Sequence, residues 1–318
     1  MSVNLSARTR FILSRTGQSL VVVIGVTIIA FFLLHLVPGD AVTVILGNKY
    51  TPARAAVLRK ELGLDQSLLV QYIHFMNHLF HGNLGNSIYY GTSVWSLLGQ
   101  RLPVTMWLVV YSTLLAVCIS VPLAVASAVK RDRATDQGIR FGFMFIFAMP
   151  QFWVGLMLAL IFGLDLAVFP VSGYGSGFFG HLYYLFLPSL TIALGFSAIL
   201  LRTLRNSIVF ALDSEYVETA RAKGLSRSRI MARHVLRNAL LPALSVIGVN
   251  LAYLIGSTVI IENVFALPGL GSLLAASITN RDLAVVQGIV LFFGVFVVIV
   301  SLATDLLYAL LDPRVSYD

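Results

Sequence analysis

The sequence predicts an all-α integral membrane protein that crosses the bilayer about six times. Hydrophobic residues make up 58% of the 318 residues and charged residues only 11%, less than half of the charged share that is usual for a soluble domain. A water-soluble fold could not cover so much apolar surface with so few charges. Several stretches without Lys, Arg, Asp or Glu are also long enough to cross a hydrocarbon core of about 30 Å, which takes about 20 helical residues.

The predicted spans are residues 19–36, 103–129, 141–164, about 185–204, 238–261 and 283–304. Arg8, Arg10 and Arg15 precede the first span, as they would in a signal peptide. No small-x-small cleavage site follows, so we interpret this stretch as a retained helix. The alternative is five spans, with residues 37–102 as an exported N-terminal segment. Pro150 is expected to break the third span locally, whereas Pro188 fits the first turn of the fourth.

Lys and Arg are distributed unevenly between the two sides of this topology. Sixteen of the 22 fall on one side and six on the other. Because positive residues favour the cytoplasmic side, both termini are predicted to be cytoplasmic, in a multi-pass protein of the plasma (inner) membrane. The net charge of +8 does not indicate nucleic acid, because no basic patch is interleaved with aromatic residues.

Three parts of the chain follow from this topology. Residues 1–36 are expected to hold the cytoplasmic N-terminus and the first span, 37–102 an external helical segment, and 103–318 a five-helix core. Within the external segment, 53–62 and 67–80 have helical spacing, and the second carries one apolar stripe. This segment is predicted to form a small cap on the outer face. The stripe consists of Leu69, Tyr72, Ile73, Met76 and Leu79 or Phe80.

The cytoplasmic segment 205–237 within the core is the most informative part of the sequence. Asp213 or Ser214 is placed to cap a short helix, and Gly224 to end it in the left-handed conformation. Ser226 is placed to cap a second helix that runs to about Leu240. The pattern alone leaves two interpretations open: a solvated loop whose basic residues meet anionic lipid heads, or a rigid docking element for a partner.

The residues Glu218-Thr219-Ala220-x3-Gly224 resemble the EAA loop of ABC importer permeases, with Thr219 in place of an alanine. The longer runs YVETARAKGL at 216–225 and RHVLRNALLP at 233–242 resemble the dipeptide, oligopeptide and nickel branch. Together with the further matches, they make the chain similar to the B-type permease of the binding-protein-dependent transport inner membrane component family. The further matches are VPGD at 37–40, ELGLD at 61–65, GNLGNS at 82–87, RLPVT at 101–105, ENVFALPGLG at 262–271 and DLLYALLDPRV at 305–315.

The resemblance implies a non-enzymatic subunit that forms a translocation pathway with a second, homologous permease. It implies two ABC ATPase subunits, which bind ATP and Mg, and an external binding protein that delivers short peptides; no cofactor is expected on this chain. Nickel or another small cargo is the alternative. A small residue at 220 would permit close approach to the ATPase. The residues expected to couple to the ATPase are Tyr216, Glu218, Ala220, Lys223, Gly224 and Arg227.

Two further sets of residues are candidates for transport. Polar residues inside the spans would line a pathway or bond between helices; they are Gln151, Asn250, Ser257 and Thr258. Glu262, Asn263 and Phe265 open an external turn, which would form a gate or contact a binding protein, or serve only as a structural turn.

The positions of the ionisable residues distinguish between the competing functions. His74, His78 and His81 share one face of a predicted helix, but without supporting ligands no metal site is expected there. Asp305, near the end of the last span, is expected to pair locally, for example with Arg314. A self-sufficient secondary transporter or channel would need ionisable residues at mid-membrane depth, and the spans are nearly free of charge. The sequence also lacks the phosphate-binding loop of an ATPase.

Overall fold

The computed structural model describes residues 7–36, 42, 46, 51–61 and 63–311. The VPGD run at 37–40, Leu62 and the motif residues 312–315 lie outside these ranges. The helices are α1 (Ala7–Leu36), α2 (Pro52–Glu61), α3 (Leu68–Phe80), α4 (Val94–Val129), α5 (Ala134–Ala148), α6 (Gln151–Leu158), α7 (Gly177–Tyr184), α8 (Phe186–Leu212), α9 (Glu215–Ala222), α10 (Arg227–Ile230), α11 (Leu236–Val264), α12 (Leu270–Thr279) and α13 (Leu283–Leu311). The π-helical segments Ala159–Asp165 and Met231–Val235 extend α6 and join α10 to α11.

Five of the predicted spans are long, apolar helices: α1, α4, α8, the continuous run Arg227–Val264 and α13. The third predicted span, 141–164, is not one straight helix. It divides into α5 and α6, which are bent by 103° at Met149 and Pro150. Proline lacks a backbone N–H and disfavours a helical residue before it, which explains the break at this point.

The bent pair α5–α6 carries the chain from one end of the bundle to the other. Early residues of α4 (Val104, Leu108) pack with the start of α8, and later ones (Ala116, Ala124) pack further along it. The two helices are therefore parallel, and the chain between them must return across the bundle. Counted with this return, the bundle has up to six candidate membrane crossings.

Both ends of the bundle are defined by contacts between helices. At one end, the Arg15 guanidinium of α1 lies 3.5 Å from the Asp305 carboxylate of α13. Asp305 therefore pairs with a neighbouring helix. Arg314, the expected local partner, lies outside the described residues. The same end holds the α4–α5 junction and α9, and we call it the basic end. At the opposite end, Gln287 of α13 donates a hydrogen bond to the Ala30 carbonyl of α1, at 3.2 Å.

Helix α8 forms the centre of the bundle, and 61% of its apolar window is buried. It packs against α4, α5, α6 and α11. Two serine hydroxyls donate to backbone carbonyls of the facing helix: Ser120 to the Ser197 carbonyl at 3.4 Å and Ser197 to the Ala116 carbonyl at 3.5 Å. Small hydroxyl residues let helix backbones approach closely in membranes, which makes α8 a rigid axis between the two ends.

Several helix boundaries differ from the sequence predictions. Helix α4 begins at Val94, so the predicted boundary at 102/103 falls inside a helix. Helix α8 continues to Leu212, where 204 was expected. The second helix of the 205–237 segment does not end near Leu240; it continues through α11 to Val264. In each case the apolar face extends beyond the charge-free window, because tertiary packing continues past the charged residues.

The predicted external helices are present as α2 and α3. The α3 stripe is divided between two environments: Tyr72 packs on Phe31 of α1, with ring centroids 5.4 Å apart, whereas Leu69 and Ile73 are exposed. Phe75, outside the predicted stripe, also packs on Phe31, at 5.9 Å. Helices α7 and α12 were not predicted from the sequence.

Candidate functional site

A short helix, α9, lies across the basic end and is connected directly to the end of α8. Ser214 takes the extended cap conformation, and its carbonyl accepts hydrogen bonds from the Val217 and Glu218 amides at 3.0 and 3.2 Å. One face of α9 packs inward: Val217 is 0% and Ala220 5% exposed. Both belong to the core cluster that includes Ile230 and Val235. The small residue at 220 therefore permits close approach of α9 to its own bundle.

Gly224 ends α9 with φ +75°. Its amide donates to the Arg221 carbonyl at 2.9 Å and the Leu225 amide to the Ala220 carbonyl at 3.3 Å. These two bonds form a complete Schellman motif, and a glycine adopts the left-handed conformation without steric cost. The motif turns the chain sharply and fixes the angle between α9 and the helix that follows it.

The opposite face of α9 is open. Glu218, Lys223 and Gly224 are exposed, Tyr216 is 42% exposed, and Arg227 at the start of α10 is exposed as well. Among the described residues, no salt bridge joins Glu218, Lys223 or Arg227 to another side chain. The structure thus presents a rigid, outward-facing surface with uncommitted charges of both signs.

A buried ion pair braces this end of the bundle, and sequence reasoning missed it. Asp136, at 0% exposed, accepts two bonds from the Arg205 guanidinium, at 2.6 and 3.2 Å. It also accepts from the Ser127 hydroxyl and, at 3.0 Å, from the Asp132 amide. The available signal was an aspartate in the first turn of α5 within the basic stretch 130–140. The pair ties α4, α5 and α8 together about two turns before the end of α8.

Three of the four polar pathway candidates meet at one place. Gln151, Asn250 and Ser257 line an open cavity of about 150 Å³ at the α5–α6 bend, between α8 and α11. Thr258 does not; it is 0% exposed and donates to the Ile255 carbonyl at 2.8 Å. The cavity is otherwise mainly apolar, with Tyr253 at its rim.

One face of α11 is exposed along most of its length. Val249, Tyr253 and Ile260 are 70, 75 and 50% exposed, and Gly256 and Asn263 complete the stripe at helical spacing. This stripe adjoins the cavity, since Tyr253 belongs to both. The surface next to Gln151, Asn250 and Ser257 is therefore available to a neighbouring chain or a passing solute.

The turn after α11 holds three candidate residues, two of which are buried. Glu262 and Phe265 are 0% and 1% exposed, so neither presents a surface to a binding protein. Asn263 is exposed, and its amide donates to the Val259 carbonyl of its own helix at 2.7 Å.

The Glu262 carboxylate instead joins three helices at the end opposite α9. It accepts from the Thr105 hydroxyl of α4 at 2.6 Å and from the Ser272 amide at 2.8 Å, with a further bond from the Gly271 amide. These amides are the free donors at the start of α12, where a negative charge is favoured. A Cβ at Gly269 would lie 2.3 Å from the Glu262 carboxyl carbon, so the turn requires glycine there.

The histidines of α3 are exposed and lie beside each other on its surface. His74, His78 and His81 are all exposed, and the His81 ring bonds to the Asn77 carbonyl of its own helix at 2.8 Å. Within the described ranges, no group of three or more His, Cys, Asp or Glu residues is arranged to hold a metal ion.

Five long apolar helices and one bent pair, with a helix–glycine element exposed at the basic end, define a multi-span membrane protein. Two family models match the chain. The model described as binding-protein-dependent transport system inner membrane component matches residues 120–317, and its N-terminal companion matches residues 8–109. The chain belongs to this family of multi-pass inner membrane proteins.

Relatives align over almost their whole length. A putative peptide transport system permease protein of Brucella suis is 37% identical over 98% of this chain and 100% of its own. The oligopeptide transport system permease protein AppB of Bacillus subtilis is 35% identical, covering 96% of this chain and 99% of its own. The glutathione transport system permease protein GsiC of Salmonella choleraesuis is 34% identical, with coverage of 96 and 99%.

The fold is similar to that of a solved transporter. A chain of the MetNI methionine ABC transporter, in an inward-facing crystal form, matches with a TM-score of 0.58 at 15% identity, covering 69% of this chain and 97% of its own. At this identity the match supports the fold alone.

Proposed function

We propose that this chain is the transmembrane permease subunit of an ATP-driven ABC importer for short peptides. The observation that carries the proposal is the α9–Gly224 element, seated on the bundle by Val217 and Ala220 and open on its other face. The full-length relatives named for peptide and glutathione transport support the cargo class. Nickel or another small cargo of the same branch is the alternative.

The open face of α9 is the docking site for one ABC ATPase subunit, and the partner permease binds the second. Tyr216, Glu218, Lys223, Gly224 and Arg227 contribute the contacts, while Ala220 acts from beneath by seating the helix. Because positive residues favour the cytoplasm, the basic end faces the cytoplasm, and both termini lie there. The binding protein then approaches the opposite end.

Energy reaches the pathway through α8. An ATPase movement that displaces α9 acts on the end of α8, to which α9 is joined by two residues, and the Asp136–Arg205 pair transmits it to α4 and α5. Nucleotide binding on the ATPases thus shifts the population between inward- and outward-open bundles. ATP and Mg are bound by the ATPases, and this chain itself catalyses no reaction.

The translocation pathway forms between this chain and a second, homologous permease. The exposed stripe of α11 faces the second permease, and the cavity lined by Gln151, Asn250 and Ser257 opens onto the pathway. Its mainly apolar lining with a few amide and hydroxyl groups suits peptides of varied side chains better than a metal ion, which would need fixed ligands.

The test is to purify the tagged chain from its native membrane and to measure the ATPase subunits and peptide uptake that accompany it. Gly224→Trp is expected to abolish ATPase association and uptake, because it forces a bulky side chain into the left-handed region at the docking face. The matched control is Gly91→Trp, at the opposite end. Gly91 is also exposed and has φ +66°, and a Cβ added to it would meet no atom within 4 Å.

Retained association in the Gly224→Trp variant would reject the docking role of α9. A chain that purifies without any ATPase under several mild conditions would favour the competing class, a self-sufficient secondary transporter or channel. If nickel rather than peptide is the cargo, the co-purified binding protein will bind Ni²⁺ and not peptides.

A further inference from the structure

Helix α3 carries an apolar surface that no described part of the chain covers. Leu69, Ile73 and Phe80 are 70, 58 and 81% exposed, and α3 has no fully buried residue. At 3.6 residues per turn these three side chains share one arc of the helix, about 40° wide. A soluble cap exposing them to water would be unfavourable, since large exposed apolar patches mark interaction surfaces.

The contacts with α1 fix the level of α3 along the bundle. Phe31 packs on Tyr72 and Phe75, and the Tyr72 hydroxyl bonds to the Thr27 hydroxyl at 2.8 Å. Phe31 lies sixteen residues beyond Arg15, or about 24 Å along the helix axis at 1.5 Å per residue. The hydrocarbon core is about 30 Å thick, so α3 lies at the boundary of the leaflet opposite the basic end.

The same contacts show which way the exposed arc points. Thr27 lies one turn deeper than Phe31, so Tyr72, which reaches Thr27, is on the deeper side of α3 relative to Phe75. Leu69 and Phe80 lie about 60–80° further round the helix in the same sense, facing the bilayer interior. His74 and His78 fall on the opposite, outward side, and both are exposed.

Beneath α3, the surface of α1 is apolar and uncovered. Leu20, Ile24, Thr27 and Phe31 form one stripe at spacings of four, three and four residues, and α3 covers only its far end. Leu20 and Ile24 are 63 and 45% exposed. The space below α3 is thus bounded by apolar side chains on two sides, and acyl chains fit it.

We propose that α3 is an interfacial helix inserted into the leaflet opposite the basic end, with Leu69, Ile73 and Phe80 immersed in lipid acyl chains. Helix α3 contains no Lys, Arg, Asp or Glu, so insertion desolvates no charge. Amphipathic helices of this kind bury their apolar face about 5–10 Å below the headgroups. The external segment is then an anchor in the bilayer, not a cap standing clear of it.

The test uses spin labels on the transporter, purified with its co-purifying subunits and reconstituted into vesicles of phosphatidylethanolamine and phosphatidylglycerol. In a Cys118→Ala background, Leu69→Cys and the control His78→Cys place a nitroxide on opposite sides of α3. Molecular oxygen concentrates in acyl chains, and a water-soluble nickel chelate stays outside. The ratio of oxygen to nickel accessibility is expected to be several-fold higher at 69 than at 78.

Two results would overturn the proposal. Equal nickel accessibility at both positions would mean that α3 stands in water. Low accessibility to both reagents at 69 would mean that protein, such as the second permease, covers the arc in place of lipid. The pair Phe80→Cys and His74→Cys repeats the comparison at other positions of α3, so that a poorly folded single variant does not decide the outcome.

Discussion

The Arg205 guanidinium holds the Asp136 carboxylate by two hydrogen bonds, of 2.6 and 3.2 Å, in the interior of the basic end. Asp136 is 0% exposed, and the Arg205 side chain is 13% exposed. Two further donors, the Ser127 hydroxyl and the Asp132 amide, complete the carboxylate's hydrogen bonding. This relationship connects the end of α4, the start of α5 and α8, and hence the proposed docking helix to the membrane core.

Removing the Asp136 charge is expected to destabilise the chain strongly. Asp136→Asn leaves Arg205 desolvated without its counter-charge, which typically costs about 3 kcal/mol of the free energy of unfolding. This loss is measured by thermal unfolding of the purified protein in detergent. The control is Arg131→Ala, which removes the exposed Arg131–Asp213 pair and is expected to cost less than about 1 kcal/mol. Equal losses from both substitutions would contradict a special role for the buried pair.

The two faces of α9 are expected to respond differently to substitution. Ala220→Leu overfills the inward face and should destabilise the seating of α9 by about 1–3 kcal/mol, lowering both thermal stability and ATPase association. Glu218→Ala changes only the outward face, so it should weaken ATPase association while leaving the melting temperature unchanged. Parallel melting curves and pull-downs make the comparison. Loss of stability in Glu218→Ala would mean that this side chain belongs to the fold.

Neighbouring positions of α11 are expected to differ in access from the pathway. In a Cys118→Ala background, Ser257→Cys places a thiol at the cavity, whereas Thr258→Cys places it in the interior, where Thr258 is 0% exposed. A water-soluble thiosulfonate should modify position 257 much faster than 258, and modification at 257 should inhibit peptide uptake. If both thiols react at the same rate, the cavity does not open to a water-filled pathway.

The turn after α11 is expected to depend on the charge of Glu262. Glu262→Gln keeps the size of the side chain but replaces one acceptor oxygen with a donor, leaving an amide at the start of α12 or the Thr105 hydroxyl unpaired. The expected loss is about 1–3 kcal/mol, measured by thermal unfolding. Asn263→Ala, on the exposed neighbour, is the control and should change little. A binding-protein role for Glu262 would appear instead as impaired docking with unchanged stability.

The coupling segment shows which structural features local sequence pattern can predict. Gly224, with Lys223 before it, predicts a helix end because the left-handed conformation is a local backbone preference, and the structure has it with φ +75°. Whether Ala220 faces a partner or the bundle is not local. The sequence analysis expected Ala220 to face the ATPase. In the structure, Val217 and Ala220 belong to the core cluster that α8 and α11 also form, so this face of α9 is directed inward.

For the polar residues in the spans and turns, residue type likewise identified the candidates, and packing decided their roles. Residue type identified Gln151, Asn250, Ser257 and Thr258 equally, yet only the first three line one cavity, because Thr258 is buried in the interior of the bundle. Glu262 was open to a functional or a structural interpretation, and its position between Thr105 and the start of α12 made it a structural acceptor. Asp136 and Arg205, separated by 69 residues, had no local signal to connect them.

The sequence by itself determined the membrane environment of this protein, the positions of most of its apolar spans and the helix–glycine element. Hydrophobic length and backbone preference determine these features because they act within a few turns of one helix. Only the tertiary structure decided which side of each helix meets protein, lipid or open space. That choice depends on contacts between residues far apart in the chain, such as Asp136 with Arg205 and Tyr72 with Thr27. No property of a single helix specifies such a neighbour, since an apolar face is satisfied equally by another helix or by a lipid chain.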